Sequence, residues 1–246
     1  EIPIFDPGAT RVDEIRRGLE DNGLEVTTCA VMPPWMTVFA ESAATRGQAL
    51  YHLKLSIETT AKLGGHLAAG PTYSPVGYLP GRRRTADEFQ LAAESLRTLG
   101  ETLRAHDVRL AIEPLNRFET FFLNTAADAA ALCENIADPS IGILFDTFHA
   151  NIEEKSLGDA LRVCGKHLIH VHTCENDRGT PGSGHVPWVE VFDTLRAMRY
   201  DGWLTIESFG YNIKAIAAAA AIWRDLAPLP ESIAFDGLTF LKRMTA

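Results

Sequence analysis

At 246 residues, with 46% hydrophobic and 22% charged side chains, the chain carries enough apolar mass for a full core and reads as an ordinary soluble globular protein. Its formal net charge of -9 argues against a nucleic-acid binder, which needs a basic face to neutralise phosphates. No apolar stretch approaches the roughly 18 residues of a membrane span, and the most monotonous run, Ala217 to Ala221, would make little more than one helical turn.

The chain has no initiating methionine and opens on Glu1-Ile-Pro-Ile-Phe-Asp-Pro-Gly8, a strand running straight into a turn, so an element upstream is expected. From there short apolar runs alternate with helix-period segments. Strands are expected at 2–5, 24–32, 66–70, 108–113, 141–146, 167–172 and 202–207. Val12, Ile15 and Leu19 share a helical face before the stop at Asn22-Gly23, and Leu50, Leu53 and Ile57 do the same before Gly64-Gly65. Thr85-Ala-Asp-Glu88 has the spacing of a capping box, and it opens a helix with Phe89, Ala92, Leu96, Leu99 and Leu103 on its buried stripe. Trp188, Phe192, Leu195 and Met198 mark another helix, ended near Asp201-Gly202.

This alternation predicts an α/β fold with a parallel sheet and crossover helices. With no linker or composition shift, the whole of 1–246 is expected to form a single domain. At about 30 residues per unit, the pattern points to the (β/α)8 TIM barrel, with the first βα unit missing from the N-terminus. A doubly wound open sheet is the alternative, but the glycine-rich phosphate turns GxGxxG and GxxxxGK[ST] are both absent.

Four successive strands end in the same manner. VRLAIE stops at Glu113, IGILFD at Asp146, HLIHVH at His172 and GWLTIE at Glu207. One carboxylate after a strand is more often a helix cap. Four side chains of this kind, delivered to the carboxyl mouth of one barrel, make a candidate divalent-metal site. Three carboxylates and one imidazole suit Mn²⁺, Mg²⁺ or Co²⁺ better than a thiolate-rich zinc site. Such an ion can polarise a carbonyl and hold neighbouring substrate oxygens.

A second set follows at short range: Glu119 six residues after Glu113, His149 three after Asp146, and Arg178 six after His172. Together they offer an acceptor, a switchable donor and a fixed cation, as a polyhydroxylated substrate requires. Singly, each reads as a polar loop residue. His170 shares a strand face with His172 and is expected to fill the layer below. Pro33-Pro34-Trp35 and Trp188 either wall the pocket or pack as core. Arg82-Arg83-Arg84 reads as a solvated loop or subunit contact. The cysteines, Cys29, Cys133, Cys164 and Cys174, lack disulfide or CxxC spacing, which fits reduced thiols in the cytoplasm, and only Cys174 lies near the mouth.

At these residues the sequence resembles a known group. Glu113-Pro-Leu-Asn-Arg-Phe-Glu119, Asp146-Thr-Phe-His149 followed by Asn-Ile-Glu-Glu, His172-Thr-Cys-Glu-Asn-Asp-Arg178 and the Ile206-Glu207 strand end are similar to the ketose 3-epimerases, the D-tagatose and D-psicose 3-epimerase branch of the xylose-isomerase-like barrels. The resemblance runs from about Glu1 to the C-terminal helix and is strongest over 108–210. It implies that Glu113, Asp146, His172 and Glu207 bind a divalent metal, most often Mn²⁺ or Co²⁺. It further implies that Glu119, His149 and Arg178 contact the sugar, and that Glu113 and Glu207 double as the acid/base pair. A small-molecule sugar substrate and a homodimer or homotetramer are implied likewise. His185 departs from the pattern, since relatives often carry arginine there.

The expected reaction is epimerisation of a free ketose at C3 through an enediolate. Alternatives on the same barrel are an aldose–ketose isomerase of the hydroxypyruvate isomerase type, an inosose-type dehydratase, and a sugar-binding barrel without activity. A phosphodiesterase like the endonuclease IV relatives would need more histidines and a basic face.

Overall fold

The computed structural model describes residues 1–209, 211 and 214–246. Seven strands form one parallel sheet in strict chain order: β1 (Ile2–Ile4), β2 (Thr28–Ala30), β3 (Leu67–Gly70), β4 (Arg109–Ile112), β5 (Ile141–Asp146), β6 (Leu168–His172) and β7 (Leu204–Thr205). Parallel neighbours in sequence order require a crossover each time, and helices supply it. These are α1 (Val12–Asn22), α2 (Ala43–Lys62), α3 (Ala86–Arg97), α4 (Gly100–Ala105), α5 (Ala126–Ile136), α6 (Thr147–Glu153), α7 (Leu157–Cys164), α8 (Trp188–Ala197), α9 (Lys214–Ala219) and α10 (Pro230–Thr245). The fold is the expected TIM-barrel type of α/β protein.

The sheet is curled. Glu1, just before β1, places its carboxylate 2.9 Å from both His170 and His172 on β6. β1 and β6 are separated by four strands in the sheet order, so this contact exists only because the sheet bends back on itself.

Local chemistry explains most element boundaries. Thr85 and Glu88 form the predicted capping box at the start of α3. Gly23 ends α1 in the left-handed region at φ 61°, where a Cβ would be penalised. The long helix expected after Thr85 is instead interrupted between Arg97 and Gly100, yet Leu96, Leu99 and Leu103 all stay buried, so the apolar stripe survives the break. Two strands fall short of their apolar runs by more than two residues: β2 covers only Thr28–Ala30 of 24–32, and β7 only Leu204–Thr205 of 202–207. The helices pack against the sheet in three apolar groups, one including Leu53, Ile57, Leu96 and Phe122, another Phe145, Leu161, Trp188 and Phe192, and a small one in which Val12, Ile15 and Leu19 of α1 meet Ile4, Val26 and Leu63. Leu67, Ala69, Ala111, Leu144 and Ile169 form a separate small cluster.

One irregularity positions the site. Between β5 and β6 the register slips, with Ile143 opposite Leu168 but Leu144 opposite His170, so Ile169 is the extra residue of a bulge. Without the slip Asp146 would lie beside Val171; with it Asp146 lies beside His172. Since side chains alternate across a strand, this one-residue shift decides whether the imidazole and the carboxylate share a face. Gly142 makes room for it. A Cβ there would sit 2.5 Å from the His167 carbonyl oxygen and 2.8 Å from Ile169 Cγ2. Gly142→Ala is therefore expected to cost about 1–3 kcal/mol by overpacking, read as a lowered urea midpoint; an unchanged midpoint would contradict this account of the bulge.

Candidate active site

The four strand-end side chains meet. Asp146 and His172 close β5 and β6, Glu113 follows β4 by one residue, and Glu207 follows β7 by two. His172 Nδ1 lies 3.5 Å from Asp146 Oδ2, 3.4 Å from Glu207 Oε2 and 4.0 Å from Glu113 Oε1. All four are buried apart from a partly exposed Glu207. Among the described residues Glu113 Oε1 and His172 Nδ1 have no hydrogen-bond partner, an expensive state for buried polar atoms. Donor atoms this close together, two of them orphaned and most of them oxygen, fit a divalent cation.

Asp146 reconciles the two readings a strand-end carboxylate admits. Its Oδ1 caps α6, accepting from the backbone N–H of Phe148 at 2.6 Å and of His149 at 3.3 Å. Its Oδ2 faces the cluster and accepts from Arg178 Nη1 at 2.8 Å and Cys174 Sγ at 3.3 Å. The cap in turn fixes the first turn of α6, which carries His149.

The electrostatics follow from burial of so much negative charge. Burial and the neighbouring Glu207 carboxylate push Glu113 well above the ordinary carboxyl range. Burial acts on Asp146 and Glu207 in the same sense, but the Arg178 guanidinium and His172 more than offset it and hold both carboxyls low. Burial alone would neutralise His172, yet Glu1 and Glu207 raise its pKa well above the usual imidazole value. Cys174 remains a thiol: burial and Asp146 raise its pKa, so it acts as a donor to Asp146 despite sitting within reach of the same cation position.

The second set is also assembled. Arg178, in the left-handed region at φ 65°, donates through Nη1 to Asp146 and to Glu207 at 2.5 Å, and stacks on the Phe148 ring with 4.2 Å to its centroid. Its Nη2 lies 3.0 Å from His149 Nε2. The Asn116 backbone N–H donates to His149 Nδ1 at 3.1 Å, and the Asn116 Nδ2 lies 2.9 Å from the same atom. His149 Nδ1 must then hold a lone pair, and in the neutral ring the proton sits on Nε2. Burial favours that neutral ring by lowering the pKa to about 4. In that tautomer both nitrogens of the contact carry protons, and Glu113 Oε1 lies 3.6 Å from His149 Nε2. Asn116 also donates to Glu119 Oε1 at 2.9 Å, so one side chain holds two of the three sequence-predicted residues. Burial raises the Glu119 pKa.

Beside the cluster opens a cavity of about 840 Å³, with Asn116, Glu119 and Arg178 among its polar lining residues and Phe118, Phe148 and Trp223 among its apolar ones. Arg178 joins the two, since it lines the cavity and donates to Asp146 and Glu207.

Other residues singled out in the sequence lie away from the cluster and the cavity. Trp188 does not wall the cavity; it is buried in the core against Phe192 and Phe240. Trp35 is exposed and also absent from the cavity lining. His185 is exposed, its backbone N–H donating to Asn176. Arg82 and Arg83 are exposed in a loop, as the sequence reading has them, while Arg82 pairs with Glu88 and the half-buried Arg84 with Asp128. Sequence reasoning assigned no role to Asn116, although it stands inside the quoted motif, and none to Glu1 or Glu175.

The profile of the xylose isomerase-like TIM barrel family matches residues 3–243. A probable ketose 3-epimerase of Synechocystis sp. is 38% identical over 224 residues, covering 91% of this chain and 78% of the relative. A D-psicose 3-epimerase of Agrobacterium fabrum is 33% identical over 214 residues, covering 86% and 74%. A solved structure of an L-ribulose 3-epimerase superposes with a TM-score of 0.92 at 31% identity, covering 99% of this chain and 82% of the other.

The loop after β6 that carries Arg178 is organised by Glu175. Its fully buried carboxylate accepts from the backbone N–H of Asn176, Gly182 and Val186 and from Trp188 Nε1, at 2.8–3.1 Å. Glu175→Gln turns an NH₂ toward N–H donors and is expected to cost about 1–3 kcal/mol, measured by urea unfolding; a variant as stable as the parent would remove Glu175 from this role.

Proposed function

The chain belongs to the ketose 3-epimerases of the xylose isomerase-like TIM barrel family, and from that premise we propose a divalent-metal-dependent enzyme that inverts C3 of free ketohexoses or ketopentoses, with Glu113 and Glu207 as its acid/base pair. The observation that carries the metal is the orphaned His172 Nδ1 facing three carboxylates. Glu113, Asp146, His172 and Glu207 would hold the ion, Mn²⁺ first among the candidates and Co²⁺ or Mg²⁺ after it, because the donor set is mostly oxygen. When bound it supplies Lewis acidity, polarising the ketose carbonyl.

The chain's own groups move the protons. One glutamate takes the proton from C3 while the electron pair shifts toward the C2 carbonyl, leaving an enediolate across C2 and C3. The other glutamate returns a proton to the opposite face of C3, and in the reverse reaction the two exchange roles. Their placement suits this division, since Glu113 follows β4 and Glu207 follows β7, with β5 and β6 between them. His149 Nε2–H and Arg178 Nη2–H, whose nitrogens lie 3.0 Å apart, suit a substrate oxygen that gains negative charge. Glu119 would accept from a sugar hydroxyl, a role supported by its place in the cavity lining. The substrate range is supported by the names of the relatives, one acting on psicose and one on L-ribulose. The four unpaired cysteines support a reducing compartment such as the cytoplasm.

Aldose–ketose isomerisation passes through the same kind of enediolate and differs in the carbon that receives the proton. Incubation of the Mn²⁺-loaded protein with fructose, psicose, tagatose and sorbose in D₂O, read by NMR, separates the two. A C3-inverted ketose with deuterium at C3 is expected, and Glu207→Gln should lower kcat by about 10²–10⁴-fold with the fold intact by circular dichroism. Aldose formation, or near-normal turnover by the variant, would sink the two-glutamate epimerase.

A further inference from the structure

Glu1 lies outside the set just assigned, yet its carboxylate is built into the base of the site. Oε1 is 2.9 Å from His172 Nε2, and Oε2 is 2.9 Å from His170 Nε2. Thr27 Oγ1 donates to Oε2 as well, at 3.0 Å. Both rings are fully buried and stand edge to face, with 5.0 Å between centroids. The Glu1 side chain itself is only 8% exposed.

A carboxylate can only accept hydrogen bonds, so each ring must present an N–H to it. For His172 this settles which nitrogen faces where: Nε2 carries a proton toward Glu1, and Nδ1 is aimed at Asp146, Glu207 and Glu113. Histidines that bind metals are commonly held by a carboxylate on their other nitrogen, which fixes the ring and makes it a stronger donor. His170 occupies the second oxygen, and with Thr27 it limits the rotation of the Glu1 carboxylate.

We infer that Glu1 is a positioning residue, which fixes the orientation and tautomer of His172 so that Nδ1 serves as the nitrogen donor to a divalent cation. The inference rests on the metal reading given under Proposed function. It goes beyond that reading by assigning the affinity of the site in part to a residue that does not touch the ion. Asp146 and Glu207 need no such help, because Arg178 orients both.

The test is Mn²⁺ binding to the full-length protein without sugar, by calorimetry and by the electron paramagnetic resonance signal of free Mn²⁺, for the parent, Glu1→Gln and Glu1→Asp. A glutamine oxygen can serve only one of the two rings, and aspartate is one methylene too short to span them. Each variant is expected to weaken Mn²⁺ binding about tenfold or more. In the Mg²⁺-loaded parent, the His172 Nε2 proton should give a downfield NMR signal that Glu1→Gln shifts or removes, a change that loss of packing elsewhere would not produce. If either folded variant binds Mn²⁺ as tightly as the parent and keeps that signal, Glu1 has no positioning role, and the metal reading stands without it. If the parent takes up no Mn²⁺, the metal reading fails and this inference fails with it. Should Glu1→Gln not fold, Glu1→Asp is judged by the same two outcomes.

Discussion

Three carboxylates whose oxygens lie 3.4–4.0 Å from one buried imidazole nitrogen set the terms for the rest of this structure. Isolated charges in such a place would be neutralised or excluded. Here they are kept by compensation from several directions: the Arg178 guanidinium on Asp146 and Glu207, the N-terminus of α6 on Asp146, and the Glu1–His172 contact from below. Glu113 has the least of this help. One of its oxygens is unpartnered and its pKa is driven up. A cation at the cluster would answer that imbalance directly, whereas Arg178 alone answers it for only two of the three carboxylates.

Each secondary feature serves that cluster. The β5–β6 bulge brings Asp146 and His172 to one face, and Gly142 permits it. The curl of the sheet brings Glu1 under β6. Glu175 gathers the loop that presents Arg178, and Asn116 fixes the His149 ring while holding Glu119. The adjoining cavity, polar at Glu119 and Arg178 and apolar at Phe148 and Trp223, gives a polyhydroxylated ligand both hydrogen-bond partners and a ring face.

Much of this was legible in the chain. An apolar run stopping at an acid or histidine is visible in four strands, and in a parallel barrel such stops converge by construction. Glu119, His149 and Arg178 were found by their short distance from those stops, and the structure brings all three around the cluster. What could not be read depends on register and on distant partners. Gly142 inside a strand was a signal for a bulge, but nothing in the sequence says which way the bulge turns the neighbouring strand. Glu1 and His170 are 169 positions apart, so their pairing follows only from the closure of the sheet. Trp188 is open between pocket wall and core in the sequence, and what decides for the core is a partner the pattern does not show: its indole N–H donates to Glu175, thirteen residues earlier. The shortness of β7 likewise escaped the apolar pattern, which measures burial and not pairing.

The account turns on where a cation sits. Anomalous diffraction at the manganese edge, from crystals grown with Mn²⁺, would locate it. The account predicts one peak within about 2.0–2.4 Å of oxygens from Glu113, Asp146 and Glu207 and of His172 Nδ1. A peak at the Glu1–His170–His172 group, or none at the four strand ends, would contradict it.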